Sequence, residues 1–317
     1  MRIAILLAAL LLSPSVEAAA VDCAKATEPH DKAICADPTL RQLDADLAAA
    51  YETLAAGAAA AGADRVRLGE HDRHAYIQEL CTPADAGCLA SAYRQALSSV
   101  AKFASPPAGL VPIERFRLHP TQKPAFPKTS VVTASPRLDR PAEPWADGFE
   151  KAARLAAADL KPEDGETDAV IDYRPTYLAP DLAAVAFAVW TYPHGAAHGM
   201  SRQTAFDYLP TQQRRLQATD LFESGTTWSG FLAERAFDGL KEQAKAGSWE
   251  LTVGGPGELE KPVAEPANWL VRPDGLGLYF APASIGPYVA GEHEVLIPWA
   301  DLKPYLSAAP AFAIPTN

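Results

Sequence analysis

The chain has 317 residues, 48% of them hydrophobic, with 28 prolines and a formal net charge of −11 at pH 7. Such an acidic balance excludes the basic footprint of a nucleic-acid binder and attraction to anionic membrane surfaces. The length allows two domains, one with a sizeable core, and no stretch is apolar over the roughly 20 residues a transmembrane helix needs.

Residues 1–20 read as an export signal. Arg2 provides the positive start, and Ile3 to Leu12 is a run of ten apolar residues, too short to span a bilayer. Ser13-Pro14-Ser15 breaks the run, and the small residues around Ala18 and Ala20 offer a cleavage site after either one. Cleavage removes one Arg and one Glu, so the charge is unchanged. Asp22 sits where a lipid-attachment motif before Cys23 would need a small residue. The expected product is periplasmic or secreted and is not a lipoprotein.

Residues 21–103 form the first unit. Asp37-Pro38 is a helix start, with a capping carboxylate followed by proline in the first turn. Leu40, Leu43, Leu47, Tyr51 and Leu54 recur at steps of three and four and mark one face. Gly57 and Gly62 are expected to close this helix. Asp64 is expected to cap a second helix running to about Cys81. A third begins near Asp85 and aligns Leu89, Tyr93, Leu97 and Val100. All four cysteines, Cys23, Cys35, Cys81 and Cys88, lie in this unit, so export would allow two disulfides to staple it. An antiparallel hairpin places Cys35 beside Cys81, which favours Cys35–Cys81 with Cys23–Cys88. The main rival is local pairing, Cys23–Cys35 with Cys81–Cys88. A zinc site is weaker, because no spacing is C-x2-C.

Residues 104–129 read as a linker, with prolines at 106, 107, 112, 120, 124 and 127, and part of it is open to lying along a domain as an edge segment. Residues 130–309 mix strands and helices. Strands are predicted over 130–135, 169–177, 182–192, 202–208, 214–218, 269–272, 277–280 and 294–298. Helices are predicted over 145–160, 228–245 and 299–306. The strongest strand places Val185, Phe187 and Val189 on one face. Elements come in runs and do not alternate strictly. The fold class is therefore α+β: a small disulfide-stapled helical hairpin domain, then an α+β domain with a mainly antiparallel sheet.

Two resemblances follow. Asp31-Lys32-Ala33-Ile34-Cys35, Leu40, Leu43-Asp44, Leu47 and Tyr51, then Cys81, Cys88-Leu89 and Tyr93-Arg94, resemble the N-terminal domain of the LprI family of lysozyme inhibitors. His71 and His74 stand where that family usually has glutamine and tryptophan. The second half carries Thr191-Tyr192-Pro193, Gly195-Ala196-Ala197-His198-Gly199, Ala218 to Phe222, Ile285-Gly286-Pro287-Tyr288 and Val295 to Pro298. These resemble the extracellular domain of the RsiV family of lysozyme-sensing anti-sigma factors, and a related domain in the PdaC peptidoglycan deacetylase. The resemblances imply an envelope protein that binds a lysozyme or a peptidoglycan fragment.

The candidate site residues are His194 and His198, which bracket a small-residue loop, and Tyr288, the aromatic most expected to be exposed. A fold-supporting turn is the competing reading for His198. His194 to His198 is not the H-E-x-x-H zinc motif, since no glutamate follows the first histidine. His71 and His74 read as a solvated helix face, and Asp44 as a side chain able to bond across the hairpin. No G-x-S-x-G is present, and Gly254-Gly255-Pro256-Gly257 lacks the Lys-Ser/Thr of a phosphate loop. No catalytic residue, metal or cofactor is expected. The alternative is a peptidoglycan-acting envelope enzyme, or its accessory domain, centred on His198.

Overall fold

Four helices come first among the residues that the computed structural model describes, which are 20–104, 109–139 and 143–315. The expected export signal, save Ala20, lies outside the described residues. The helices are α1 (Pro29–Ala36), α2 (Pro38–Ala56), α3 (Ala60–Leu80) and α4 (Ala86–Phe103). Asp37 caps α2 by accepting from the Thr39 and Leu40 backbone N–H groups at 2.7 and 3.4 Å. Leu40, Leu47 and Tyr51 are buried with Val66 and Ile77 of α3 and with Leu89, Tyr93 and Val100 of α4.

Two expectations about this unit are corrected. Helix α3 starts at Ala60, ahead of Asp64, because its N-terminal Ala59 N–H donates to the carboxylate of Asp139. That cap comes from 80 residues away, so no local signal announces it. The disulfides are the local pair, Cys23–Cys35 and Cys81–Cys88, with Cα separations of 5.5 and 5.6 Å. Helix α1 brings Cys35 back to Cys23, and the tight α3–α4 turn brings Cys81 to Cys88. The start of α1 and the end of α3 are neighbours, as His30 Nε2 lies 3.1 Å from the Cys81 carbonyl, yet both bridges close locally.

Within residues 104–129, the expectation of an edge segment describes the structure over most of the length and that of a free linker does not. Strands β1 (Leu110–Lys123) and β2 (Phe126–Leu138) form a long antiparallel hairpin over most of it. Prolines are tolerated because β1 is an edge strand, needing hydrogen bonds on one side only. Pro112 pairs with Pro136, and Pro124 falls in the turn.

Helix α5 (Ala146–Asp159) crosses to β3 (Thr167–Ala179), which runs parallel to β2 over Val131–Thr133. Strands β4 (Leu182–Pro193), β5 (Met200–Leu209) and the short β6 (Arg214–Arg215) continue the sheet antiparallel in chain order. Next come α6 (Ala218–Leu221), α7 (Trp228–Gly247) and α8 (Glu260–Ala264). They lead to a second sheet of β7 (Trp269–Arg272), β8 (Gly275–Phe280) and β9 (His293–Pro298), and α9 (Trp299–Leu302) follows. The fold is α+β.

Strand alternation explains the layering. Ala183, Val185, Phe187 and Val189 share a core with Phe149, Ala153 and Ala157 of α5. Ala184 joins the core under α7 and the second sheet, and Ala186 packs with Leu270 and Tyr279.

The helical unit packs directly on the first sheet. Tyr51 OH donates to Glu114 Oε2 at 2.5 Å, and Arg73 donates to Tyr51 OH at 2.9 Å and pairs with Glu114. Tyr76 stacks on Phe116 at 5.0 Å, and Ser99 donates to Asp172 at 2.9 Å.

Candidate functional site

The inward and outward alternation of β4 sets up the site. Ala184 and Ala186 lie beneath the second sheet, but the same face continues to Trp190 and Tyr192. There Trp190 is 39% exposed and Tyr192 half-buried. The face has run out from under its cover while keeping large apolar side chains.

These rings join a continuous strip. Trp190 stacks with Tyr192 at 6.3 Å and an interplanar angle of 13°. Phe126, at the tip of the β1–β2 hairpin, lies 6.3 Å from Tyr192 and stacks on His194 at 4.6 Å. At the other end Trp190 lies against Gly199, where an added Cβ would sit 2.5 Å from Nε1. The strip therefore requires glycine at 199. Gly195 sits at φ +93° and turns the chain directly after His194, a conformation that glycine adopts without strain. Beyond Gly199, His198 stacks on Tyr288 at 4.7 Å. Tyr288 OH donates to the Gly199 carbonyl at 2.9 Å, and His198 Nδ1 lies 2.9 Å from the same oxygen. That contact is a hydrogen bond when Nδ1 carries the proton, since a carbonyl only accepts.

The three sequence candidates thus belong to one row of rings, two at the surface and one beneath it. Tyr288 is 40% exposed and His198 is exposed, so both face solvent. The His194 side chain is fully buried beneath Phe126. Its Nε2 lies 3.2 Å from Asp168 Oδ1, which also accepts from Ser130 N–H at 2.8 Å. Neither His194 ring nitrogen meets hydrogen-bond geometry, so Asp168 is a close neighbour and not an aligned partner. Among the described residues no three His, Cys, Asp or Glu side chains gather as a metal site.

His71 is exposed, but His74 is not the solvated residue expected of it. His74 Nε2 lies 3.1 Å from Asp44 Oδ1, which also accepts from Tyr93 OH at 2.9 Å. Asp44 therefore bonds across the hairpin. Burial favours neutral His74, but the hydrogen bond to Asp44 together with the Asp44 and Glu70 charges outweighs this and holds its pKa above the usual value.

Sequence reasoning missed Phe126, Trp190 and Tyr192. Phe126 fell in the segment read as a linker. A signal for the other two was present: carrying the alternation of the strongest strand to its end places both on one face, opposite Val185, Phe187 and Val189.

Comparison with known proteins bears on the C-terminal part. A family model described as "Protein of unknown function (DUF3298)" matches residues 219–300, a range that includes Tyr288, so the C-terminal region carries a DUF3298 domain. A solved DUF3298 family member from Bacteroides fragilis has a TM-score of 0.47 at 16% identity, covering 63% of this chain and 94% of that one. A DUF3298 family protein from Pseudomonas aeruginosa PAO1 has a TM-score of 0.47 at 17% identity, covering 67% and 99%. No curated protein matches the chain.

Proposed function

We propose that this chain is an exported binding protein of the bacterial envelope, and that the ring strip from Phe126 through Trp190 to Tyr288 takes a cell-wall glycan. The strip carries this reading. Its rings lie side by side at the surface, where exposed apolar patches mark ligand or partner sites. Sugar rings present flat C–H faces that pack on aromatic faces, with hydroxyls left over for hydrogen bonds. The role is binding and not catalysis. His194 sits beside Asp168 as the base of a hydrolase would, but its ring lies buried under Phe126, out of reach of a bound substrate.

The net charge favours a second reading, in which the partner is a basic lysozyme. A charge of −11 attracts a cationic protein, and the resemblances of both halves point the same way. Titration calorimetry with soluble peptidoglycan glycan chains, and separately with a basic lysozyme, distinguishes the two. Glycan binding that varies little with salt is expected. Lysozyme binding that fades as salt rises, without glycan binding, would replace the ligand. Binding of neither would contradict the proposal.

A further inference from the structure

Val21 enters the helical unit with its backbone N–H donating to Asp44 Oδ2 at 2.7 Å. Asp44 is 1% exposed, and its other oxygen already accepts from Tyr93 and faces His74. Glu70 lies within reach of the Asp44 charge, is 3% exposed, and has an Oε1 with no hydrogen-bond partner. Two buried carboxyl groups thus flank one histidine. Val21 packs against the helical core, and the Cys23–Cys35 bridge anchors the segment just after it.

We infer that Ala20–Val21 is the bond hydrolysed when the export signal is removed, and that the α-ammonium group created on Val21 is held by the Asp44 carboxylate. The inference rests on the export reading above. Water adds across the amide: the Ala20 carbonyl carbon gains an oxygen and leaves as a carboxylate. The Val21 nitrogen gains two hydrogens and becomes an ammonium ion. The N–H already seated on the Asp44 carboxylate then carries a charge of its own, so the bond becomes an ion pair. The new cation also falls beside a buried carboxylate. Cleavage after Ala18 would leave Val21 an amide and put the ammonium two residues from the seat.

The titratable groups around the seat are Asp44, His74, Tyr93 and Glu70. Burial pushes the Asp44 carboxyl up, but the bonds from His74, Val21 and Tyr93 and the His74 charge together outweigh it and hold Asp44 below its usual range, ready to pair. A fixed anion favours the charged amine and slows its acylation.

N-terminal sequencing and intact mass of the exported protein recovered from cells, followed by acylation of its α-amine at pH 7, test the inference. A start at Val21 is expected. Its amine should react about tenfold more slowly than that of a purified chain beginning at Ala20, which corresponds to about one pKa unit. Asp44→Asn in the Val21 chain should restore fast acylation. If that variant does not fold, the Ala20 chain, which keeps Asp44, carries the comparison. A start at Ala19 or any other residue overturns the cleavage site while leaving export intact. A recovered chain still carrying Met1 overturns the export reading itself. Equal acylation rates in the Val21 and Ala20 chains overturn the ammonium seat.

Discussion

Glu70 shows how far burial can act on one side chain. Removed from water with one oxygen unpartnered, its carboxyl is pushed from the usual 4.5 to about 7, mainly by burial. The folded protein therefore holds this proton more tightly than the unfolded chain does. The cost of Glu70 is absent below about pH 4.5, grows as pH rises to about 7, and is constant above that. His74 differs in kind. Its raised pKa contributes stability that is complete below the usual 6.5 and lost as pH rises through the folded value. Both effects weaken the helical unit in mild alkali, so a single substitution must separate them. Glu70→Gln is expected to melt with the parent at pH 4 and above it at pH 8. Thermal unfolding at the two pH values checks this, and an equal shift at both would show that burial of charge is not the cause.

Among the elements, α3 is the one whose start depends on a distant residue. Asp139→Ala removes the acceptor at its N-terminus and should cost about 1 kcal/mol, read by denaturant unfolding. An unchanged midpoint would mean that water replaces the cap without loss. The same contrast explains what the sequence made legible. Helices α2 and α4 carry their caps locally, at Asp37 and Asp85, and their apolar stripes are regular. Strands β4, β7, β8 and β9 show alternation or a turn sequence between them. The β1–β2 hairpin was hidden because prolines that argue against a central strand are harmless on an edge. The cysteine pairing was hidden because α1, a short helix before α2, carries Cys35 back toward Cys23. At the site, Tyr288 and the two histidines stood out through their motifs. Trp190 and Tyr192 do not stand out because the apolar alternation of their strand is strongest on the opposite, buried face, and Phe126 because the prolines around it mask its strand.

At the scale of the molecule, the proline-rich segment does not separate two units. It forms the sheet edge on which the helical unit rests, and Arg73, Glu114 and Tyr51 close that contact. The Arg73 and Glu114 side chains are 4% and 1% exposed, so removing either would strand a buried charge. Burial works against the Arg73 cation, but Glu114, with Tyr51 and Asp172, outweighs it and raises its pKa. The first sheet is thus covered by helices and by the second sheet, and the end of β4 emerges with its rings uncovered. That exposed end is the basis of the proposed binding role. The direct measurement is the affinity of soluble peptidoglycan glycan chains for the parent protein, for Trp190→Ala, and for Leu155→Ala on the exposed side of α5. Trp190→Ala should weaken binding about tenfold, or about 1.4 kcal/mol, with its circular dichroism unchanged, while Leu155→Ala binds like the parent. Full affinity in a folded Trp190→Ala protein would contradict the strip as the binding surface.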